Sequence, residues 1–160
     1  MEDKHIVAIT GIIIHEGKFL ITKRNMNKKA FPGKWTVPGG RLEVADYINE
    51  KKDTKDHWYN ILEKVLKREV KEETGLEIEN IKYLTSITFL RGEEPTLIVS
   101  LYADYKEGEV KLNEESMDYK WVSLDEAKNF DLIEGIYEEL GMLDKILNGE
   151  KIGLWGKKNE

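Results

Sequence analysis

Residues 68–75 read REVKEETG, an arginine and three glutamates closed by a glycine, and the fold depends on which way those glutamates point. From residue 58 onward, apolar residues recur at three- and four-residue intervals, which is the spacing of an amphipathic helix. We therefore predict a helix over residues 57–74. Asp56 is its candidate N-cap, and Gly75 fits the left-handed residue that ends a helix.

The three glutamates share a side of this helix with the apolar residues. At about 100° per residue, the mean direction of Glu69, Glu72 and Glu73 falls within roughly 10° of the mean apolar direction. Carboxylates turned toward the protein repel one another and lose hydration, at a cost of several kcal/mol each unless compensated. A divalent cation compensates such a cluster because it takes oxygen ligands, and Arg68 could pair with one carboxylate. The alternative is that this half of the helix emerges into solvent, where glutamates need no partner.

Composition limits the class of protein. The chain has 160 residues, 40% of them hydrophobic, which is enough for one core and is interpreted as a single domain. A net charge of −6 with scattered lysines argues against a general nucleic-acid surface or an anionic-membrane surface. There are no cysteines, so disulfides, thiolate catalysis and cysteine-ligated zinc are excluded. No stretch resembles a signal peptide or reaches membrane-spanning length, so we expect a cytoplasmic protein without a membrane partner.

Alternating strand and helix patterns predict a mixed sheet covered by helices, in an α/β (α+β) layered domain. Turn signals and β-branched runs give the predicted strands, which are residues 4–14, 18–24, 81–91, 96–105 and 118–124. A short strand is predicted in the loop 30–40 and could continue into residues 41–44. Two more helices are predicted at 124–129 and 132–148. The second has a predicted buried side made of Ile133, Ile136, Tyr137, Leu140, Leu143 and Leu147.

A second informative stretch is GKWTVPGGRLE at residues 33–43, where Pro-Gly-Gly lets the backbone turn sharply with no side chain in the way. Together with REVKEETGL it resembles the Nudix hydrolase family, whose box reads G-x(5)-E-x(7)-R-E-U-x-E-E-x-G-U, where U is aliphatic. Gly40 opens the box, and residues 68–76 match its second half at every defined position. The flanks FLITKR and YKWVSLDEA are also similar to those of many members, so the resemblance covers about residues 5–130.

One departure from the family pattern lies between the two halves of the box. Gly40 and Arg68 are twenty-eight positions apart, whereas the family places them fourteen apart, which implies an insertion of about fourteen residues around 46–57. The first box glutamate then has two candidate positions. Asp46 holds its place counted from Gly40, and Asn60 holds it counted back from Arg68. The insertion could be a lid, a specificity loop or the contact of a homodimer.

The resemblance implies an α/β/α sandwich with a mixed sheet and a hydrolase that uses Mg²⁺ or Mn²⁺. It implies that Glu69 and Glu73 ligate metal directly, that Glu72 is a further ligand, and that the Gly40 carbonyl completes the site. Arg68 would orient a glutamate instead of touching substrate. These are expectations carried over from the family motif.

The family takes its general base from different positions, so three candidates stay open. Glu72 could serve, and so could Glu114 or Glu115 in the loop before the strand YKWVSL. A solvated turn is the alternative interpretation of the last two residues.

Candidate substrate contacts come from single residues. Arg24 and its neighbour Lys23 end a strand near the glycine loop and could meet phosphates, although a surface position is the alternative, especially for the lysine. Trp35 could stack on a base or pack in the core. Asp118 could hydrogen-bond a base edge or be simply exposed.

The leading hypothesis is a metal-dependent pyrophosphohydrolase that acts on a small-molecule nucleotide. GKWTVPGG is similar to members that act on nucleoside triphosphates, including oxidised ones, while nucleotide sugars, ADP-ribose and dinucleoside polyphosphates remain alternatives. The isopentenyl diphosphate isomerase branch is disfavoured because its cysteine has no counterpart here. A non-catalytic nucleotide-binding domain is the non-enzymatic alternative.

Overall fold

The computed structural model describes residues 3–157 as a mixed seven-stranded sheet with helices on both faces. The elements in chain order are β1 (Ile6–His15), β2 (Lys18–Arg24), β3 (Trp35–Thr36), β4 (Gly39–Arg41), a 3-10 helix (Val44–Asp46), α1 (Ile61–Thr74), β5 (Glu77–Arg91), β6 (Glu94–Glu107), β7 (Ser116–Val122), α2 (Leu124–Ala127) and α3 (Ile136–Leu147). The layered α/β fold predicted from the sequence is confirmed, and every predicted strand is present.

β1 lies at the centre of the sheet and determines its topology. The order is β3-β2-β1-β6-β5, with β4 also pairing with β1 and β7 also pairing with β2. β1 runs parallel to β6, and the other strand pairs are antiparallel. Short hairpin connections account for two of the five antiparallel pairs, β1–β2 and β5–β6, because they return the chain beside itself.

Alternate residues of the central strands feed two separate cores. Ile9 and Ile13 of β1 pack with α1, in a cluster that includes Val65, Leu66 and Val70. The intervening residues of β1 face α3, in a cluster whose buried members include Ile12, Ile14, Leu140 and Leu143. This period-two alternation is the pattern of a strand covered on both faces.

α1 begins later than predicted. It starts at Ile61 with Asn60 in a left-handed conformation (φ 57°) as the N-cap, so the predictions of a start at residue 57 and of an Asp56 cap are wrong. The residues before the helix instead form a turn closed on itself, in which the Asp53 carboxylate accepts from the Tyr59 N–H at 2.8 Å. The predicted end is confirmed, since Gly75 has φ 76°.

α2 and α3 are both shorter than predicted. α3 starts at Ile136, because Gly135 precedes it with φ 93°, and residues 132–134 are not helical. The predicted buried side is confirmed at Ile136, Leu140 and Leu143. It is wrong at Leu147, the last residue of the helix, which is 46% exposed. None of the helices within residues 3–157 is both long enough and apolar enough to cross a membrane.

Two glycines, Gly11 of β1 and Gly141 of α3, differ in the room around them. A Cβ built on Gly11 lies 2.5 Å from a methyl of Leu66, which is fully buried and cannot swing aside, whereas a Cβ on Gly141 of α3 meets nothing within 4 Å. We expect Gly11→Ala to lower the free energy of unfolding by about 1–3 kcal/mol through overpacking. Gly141→Ala should raise it by about 0.5–1 kcal/mol by favouring the helix. Urea unfolding measures the free energy of unfolding of both variants. Equal changes in Gly11→Ala and Gly141→Ala would contradict the close contact of β1 with α1.

Candidate functional site

The candidate site lies where β4 meets the surface of α1. β4 pairs with β1, so that Gly39 and Gly40 lie opposite Thr10 and Ile9. A Cβ built on Gly40 falls 2.2 Å from the carboxyl carbon of Glu69, so no side chain fits at this position without displacing that carboxylate. The Gly39 N–H donates to Oε2 of Glu73 at 3.3 Å. Two adjacent glycines therefore bring backbone against two carboxylates that lie one helical turn apart.

Both of these carboxylates are partly withdrawn from water. Burial raises the pKa of Glu73 to about 8, and the nearby charge of Glu69 adds to the effect, while the Gly39 hydrogen bond and Arg24 oppose it. Burial also raises the pKa of Glu69, against the opposing charge of Arg68. The prediction that these two glutamates face the protein is confirmed by their positions. A positive group at this place would offset their unfavourable charge.

Glu72 differs from its two neighbours. Its side chain is 55% exposed, and its Oε2 accepts a hydrogen bond from Arg68 at 3.2 Å. The prediction that all three glutamates face inward is therefore wrong for Glu72. Residues 69 and 73 lie nearly above one another on a helix, whereas residue 72 is rotated toward the solvent side of that line.

Arg68 links the helix to the start of the insertion. Its Nε lies 2.6 Å from Oδ1 of Asp46, so the two side chains form an ion pair. Its Nη1 also donates to Glu69 at 2.9 Å. The Asp46 side chain is only 6% exposed, and its other oxygen accepts from the Glu43 N–H at 2.7 Å. Of the two candidates for the first box position, Asp46 contacts Arg68, whereas Asn60 caps the far end of α1.

Arg24, the last residue of β2, and Glu115, in the turn before β7, carry charges that act on Glu73. Burial lowers the pKa of Arg24, and the charges of Glu115 and Glu73 oppose this shift, so the three side chains share one electrostatic environment. Arg24 is held in place because its Nε donates to the Ala30 carbonyl at 2.8 Å. Glu115 pairs with Lys28, a residue that sequence reasoning missed because eighty-seven positions separate the two. The neighbouring candidate Glu114 is exposed.

The remaining predicted contacts lie elsewhere. Trp35 is 8% exposed and packs edge-on against Phe130 at a centroid distance of 4.9 Å, in the core on the α3 side, which favours packing over base stacking. Asp118 is exposed, and its backbone lies opposite Lys23 of the neighbouring strand β2. Because Val122 of the same strand faces the α3 core, alternation places Asp118 on the face opposite the α1 glutamates.

The donor atoms fit a hard divalent cation in kind. Glu69 and Glu73 supply carboxylate oxygens beside the backbone of Gly39 and Gly40, and Mg²⁺ or Mn²⁺ takes oxygen ligands. Within residues 3–157, no three acidic or histidine side chains already converge on one point. A cation here would therefore be held by the two carboxylates together with backbone carbonyl oxygen or water.

Comparisons with known proteins agree with this geometry. A family model described as NUDIX domain matches residues 4–140. The chain is 29% identical over 139 residues to the nucleoside triphosphatase NudI of Klebsiella pneumoniae (strain 342), covering 78% of this chain and 86% of that protein.

Solved structures with this fold are similar over nearly the whole chain. The MutT protein from Methanosarcina mazei Go1 matches with a TM-score of 0.68 and 25% identity, covering 92% of this chain and 98% of that one. An ADP-ribose pyrophosphatase from Streptococcus suis 89-1591 matches with a TM-score of 0.66 and 22% identity, covering 94% and 98% of the two chains. The second likeness bears on the fold alone.

The raised pKa of Glu73 predicts a pH-dependent stability in metal-free protein. Since the folded pKa of about 8 exceeds the ordinary value of 4.5, the folded state binds more protons than the unfolded state between these values. The free energy of unfolding should therefore fall as pH rises from about 5 to 8.5, by roughly 1–3 kcal/mol. Glu73→Gln should remove most of this slope in urea unfolding with EDTA.

Glu63→Gln is the matched control, because Glu63 lies in the first turn of the same helix, away from the glycines. It should keep the wild-type slope. A Glu73→Gln variant with the wild-type slope would show that this carboxyl does not carry the dependence.

Proposed function

The chain belongs to the NUDIX domain family, and we propose that it is a metal-dependent hydrolase that cleaves a diphosphate linkage in a nucleoside triphosphate. The observation that carries the proposal is the packing of Glu69 and Glu73 against the side-chain-free backbone of Gly39 and Gly40. Phosphoryl chemistry requires charge neutralisation and accurate positioning more than covalent help from the protein. Paired inward carboxylates beside an open backbone supply the means of holding cations for that purpose.

In the proposed site, Glu69, Glu73 and the Gly40 carbonyl hold Mg²⁺ or Mn²⁺, with Glu72 as an outer member of the set. When bound, such ions neutralise the phosphate charge, lower the pKa of water and stabilise the leaving group. Arg68 keeps Glu69 in position, and the buried Asp46 keeps Arg68 in position. Asp46 thereby takes the structural place of the first box glutamate.

We assign the general base to Glu115 among the three candidates. Its side chain is 40% exposed, so water can reach it, and its charge acts on both Glu73 and Arg24, so it lies near the proposed metal ligands. From there a carboxylate oxygen would accept a proton from the water that attacks at phosphorus. Glu72 is drawn outward by Arg68, and Glu114 is exposed. Arg24, partly buried at the end of β2, would bind a phosphate oxygen of the substrate.

A nucleoside triphosphate, normal or oxidised, is the preferred substrate class. It is supported by the 29% identity to a protein named as a nucleoside triphosphatase. ADP-ribose is supported only through fold-level likeness, and nucleotide sugars and dinucleoside polyphosphates remain alternatives. The one departure from the family box that could favour a binding-only domain is the missing first glutamate. Because Asp46 still pairs with Arg68, that substitution does not favour loss of activity.

Metal-dependent turnover is the first test of this proposal. We expect phosphate or pyrophosphate release from a nucleoside triphosphate with Mg²⁺ or Mn²⁺ and none in EDTA. Within a panel of normal and oxidised triphosphates, nucleotide sugars, ADP-ribose and dinucleoside polyphosphates, a triphosphate should have the highest kcat/KM. Glu73→Gln should lower kcat by about 100-fold or more, because it removes a metal ligand. Retained nucleotide binding without turnover of any panel member would instead support the binding module.

The glycine contact provides a second test that leaves every charged residue in place. Gly40→Ala puts a methyl group where the Glu69 carboxylate lies, so we expect kcat to fall at least about tenfold through misplacement of that ligand. Mn²⁺ affinity, measured by electron paramagnetic resonance of the free ion, should fall as well. Gly141→Ala, distant from the site in α3, is the control and should leave both quantities unchanged. Wild-type metal affinity in Gly40→Ala would place the cation elsewhere.

A further inference from the structure

The loop after β2 is fastened to the segment that carries Glu115. The Asn25 N–H donates to the Glu115 carbonyl at 3.0 Å, and the Asn25 side-chain amide donates to the Glu114 carbonyl at 3.2 Å. On the other side, the Glu115 N–H donates to the Asn113 side chain at 3.0 Å. The backbone on which Glu115 stands is thus fixed from both β2 and its own loop.

Lys28 extends this attachment to the carboxylate itself. Its ammonium pairs with Oε2 of Glu115, and both side chains are partly buried, at 28% and 40% exposure. The Lys28 N–H donates to the Asn25 carbonyl at 3.2 Å, so the lysine and the asparagine belong to one tight turn. We call Asn25, Lys28 and Glu115 the clasp.

Without Lys28, repulsion from Glu73 would push the Glu115 carboxylate in one direction. Glu115 and Glu73 both lie near Arg24, and two carboxylates in one environment repel each other. Arg24 offsets part of this repulsion, but it is shared between Glu73 and Glu115. Lys28 contacts the Glu115 carboxylate directly.

We propose that Lys28 is a positioning residue that holds the Glu115 carboxylate over the α1 glutamates, so that the base stands at a fixed distance from the attacking water. This inference rests on the function proposed above. A partly exposed ion pair contributes little to global stability, so its effect should appear in catalysis and not in the unfolding midpoint. A small displacement of a base lowers the rate of the chemical step more than it lowers substrate affinity.

The competing role for Lys28 is direct binding of a substrate phosphate, since an ammonium is a common phosphate ligand. The two roles differ in which kinetic constant changes. A phosphate ligand chiefly alters KM, and its loss matters whether or not Glu115 is present. A positioning residue chiefly alters kcat, and its loss matters only while Glu115 is there to be positioned.

The test is a double-mutant cycle with wild type, Lys28→Met, Glu115→Gln and the combined variant. We expect Lys28→Met to lower kcat by about tenfold with KM within about threefold, and Lys28→Arg to restore most of the rate. In the Glu115→Gln background, Lys28→Met should change kcat less than about twofold. Lys29→Met is the matched control, because Lys29 is the exposed neighbour of Lys28 in the chain, and it should keep wild-type kinetics.

A tenfold rise in KM at unchanged kcat would overturn the proposal in favour of phosphate binding. So would a loss of rate from Lys28→Met that is the same with and without Glu115. Rescue by arginine supports positioning only together with the missing effect in the Glu115→Gln background.

A measurement that needs no turnover separates this proposal from the proposed function. The Asn25 amide is hydrogen-bonded to Glu115, so its hydrogen exchange reports on the clasp. Lys28→Met should speed exchange at Asn25 several-fold, and Lys29→Met should not. Unchanged exchange would overturn the clasp even in an active enzyme. Faster exchange in a protein that hydrolyses nothing would retain the clasp and reject the function.

Discussion

The contact between the backbone of β4 and two carboxylates of α1 is the constraint on which the site depends. Both partners are mounted on the same strand. β4 pairs with β1 through Ala8 to Thr10, and α1 is seated on β1 where Gly11 leaves room for Leu66. One strand therefore sets the distance between the glycines and the glutamates. Rigid elements hold a functional constellation more accurately than loops do, and here the central strand of the sheet serves that purpose.

The electrostatics of the site follow from this placement. Glu69 and Glu73 are brought together by one helical turn and kept from water by β4, which is unfavourable in the absence of a positive partner. Arg68 pairs with Glu69, and the charge of Arg24 offsets only part of the unfavourable environment of Glu73. The fold thus tolerates a local destabilisation where chemistry is proposed, while its two apolar cores supply the stability.

Much of this arrangement could be predicted from local sequence, because it depends on local geometry. Helical spacing identified Glu69 and Glu73 as inward-facing, and Gly75 as the end of the helix. The start of α1 could not be predicted, because hydrogen bonds within the insertion, such as that of Asp53 with Tyr59, override apolar spacing. The direction of Glu72 was predicted wrongly because the mean direction of the three glutamates differs from the direction of Glu72 itself. The hydrogen bond from Arg68 further holds the Glu72 side chain outward. The contact between Lys28 and Glu115 joins distant parts of the chain, and no periodicity reports such a contact.

The insertion between the 3-10 helix and α1 has its own internal contacts. The Trp58 indole donates to the Glu50 carbonyl at 2.9 Å and lies beside the Tyr47 ring, with centroids 5.1 Å apart. At the start of the insertion, Asp46 is paired with Arg68. Changes of conformation farther along the loop are therefore not passed on to the glutamates. Because the entropy of closing a loop grows only slowly with its length, residues can be added or removed beyond that anchor at small cost. The segment is therefore a place where related chains can acquire new surface while Glu69 and Glu73 keep their positions.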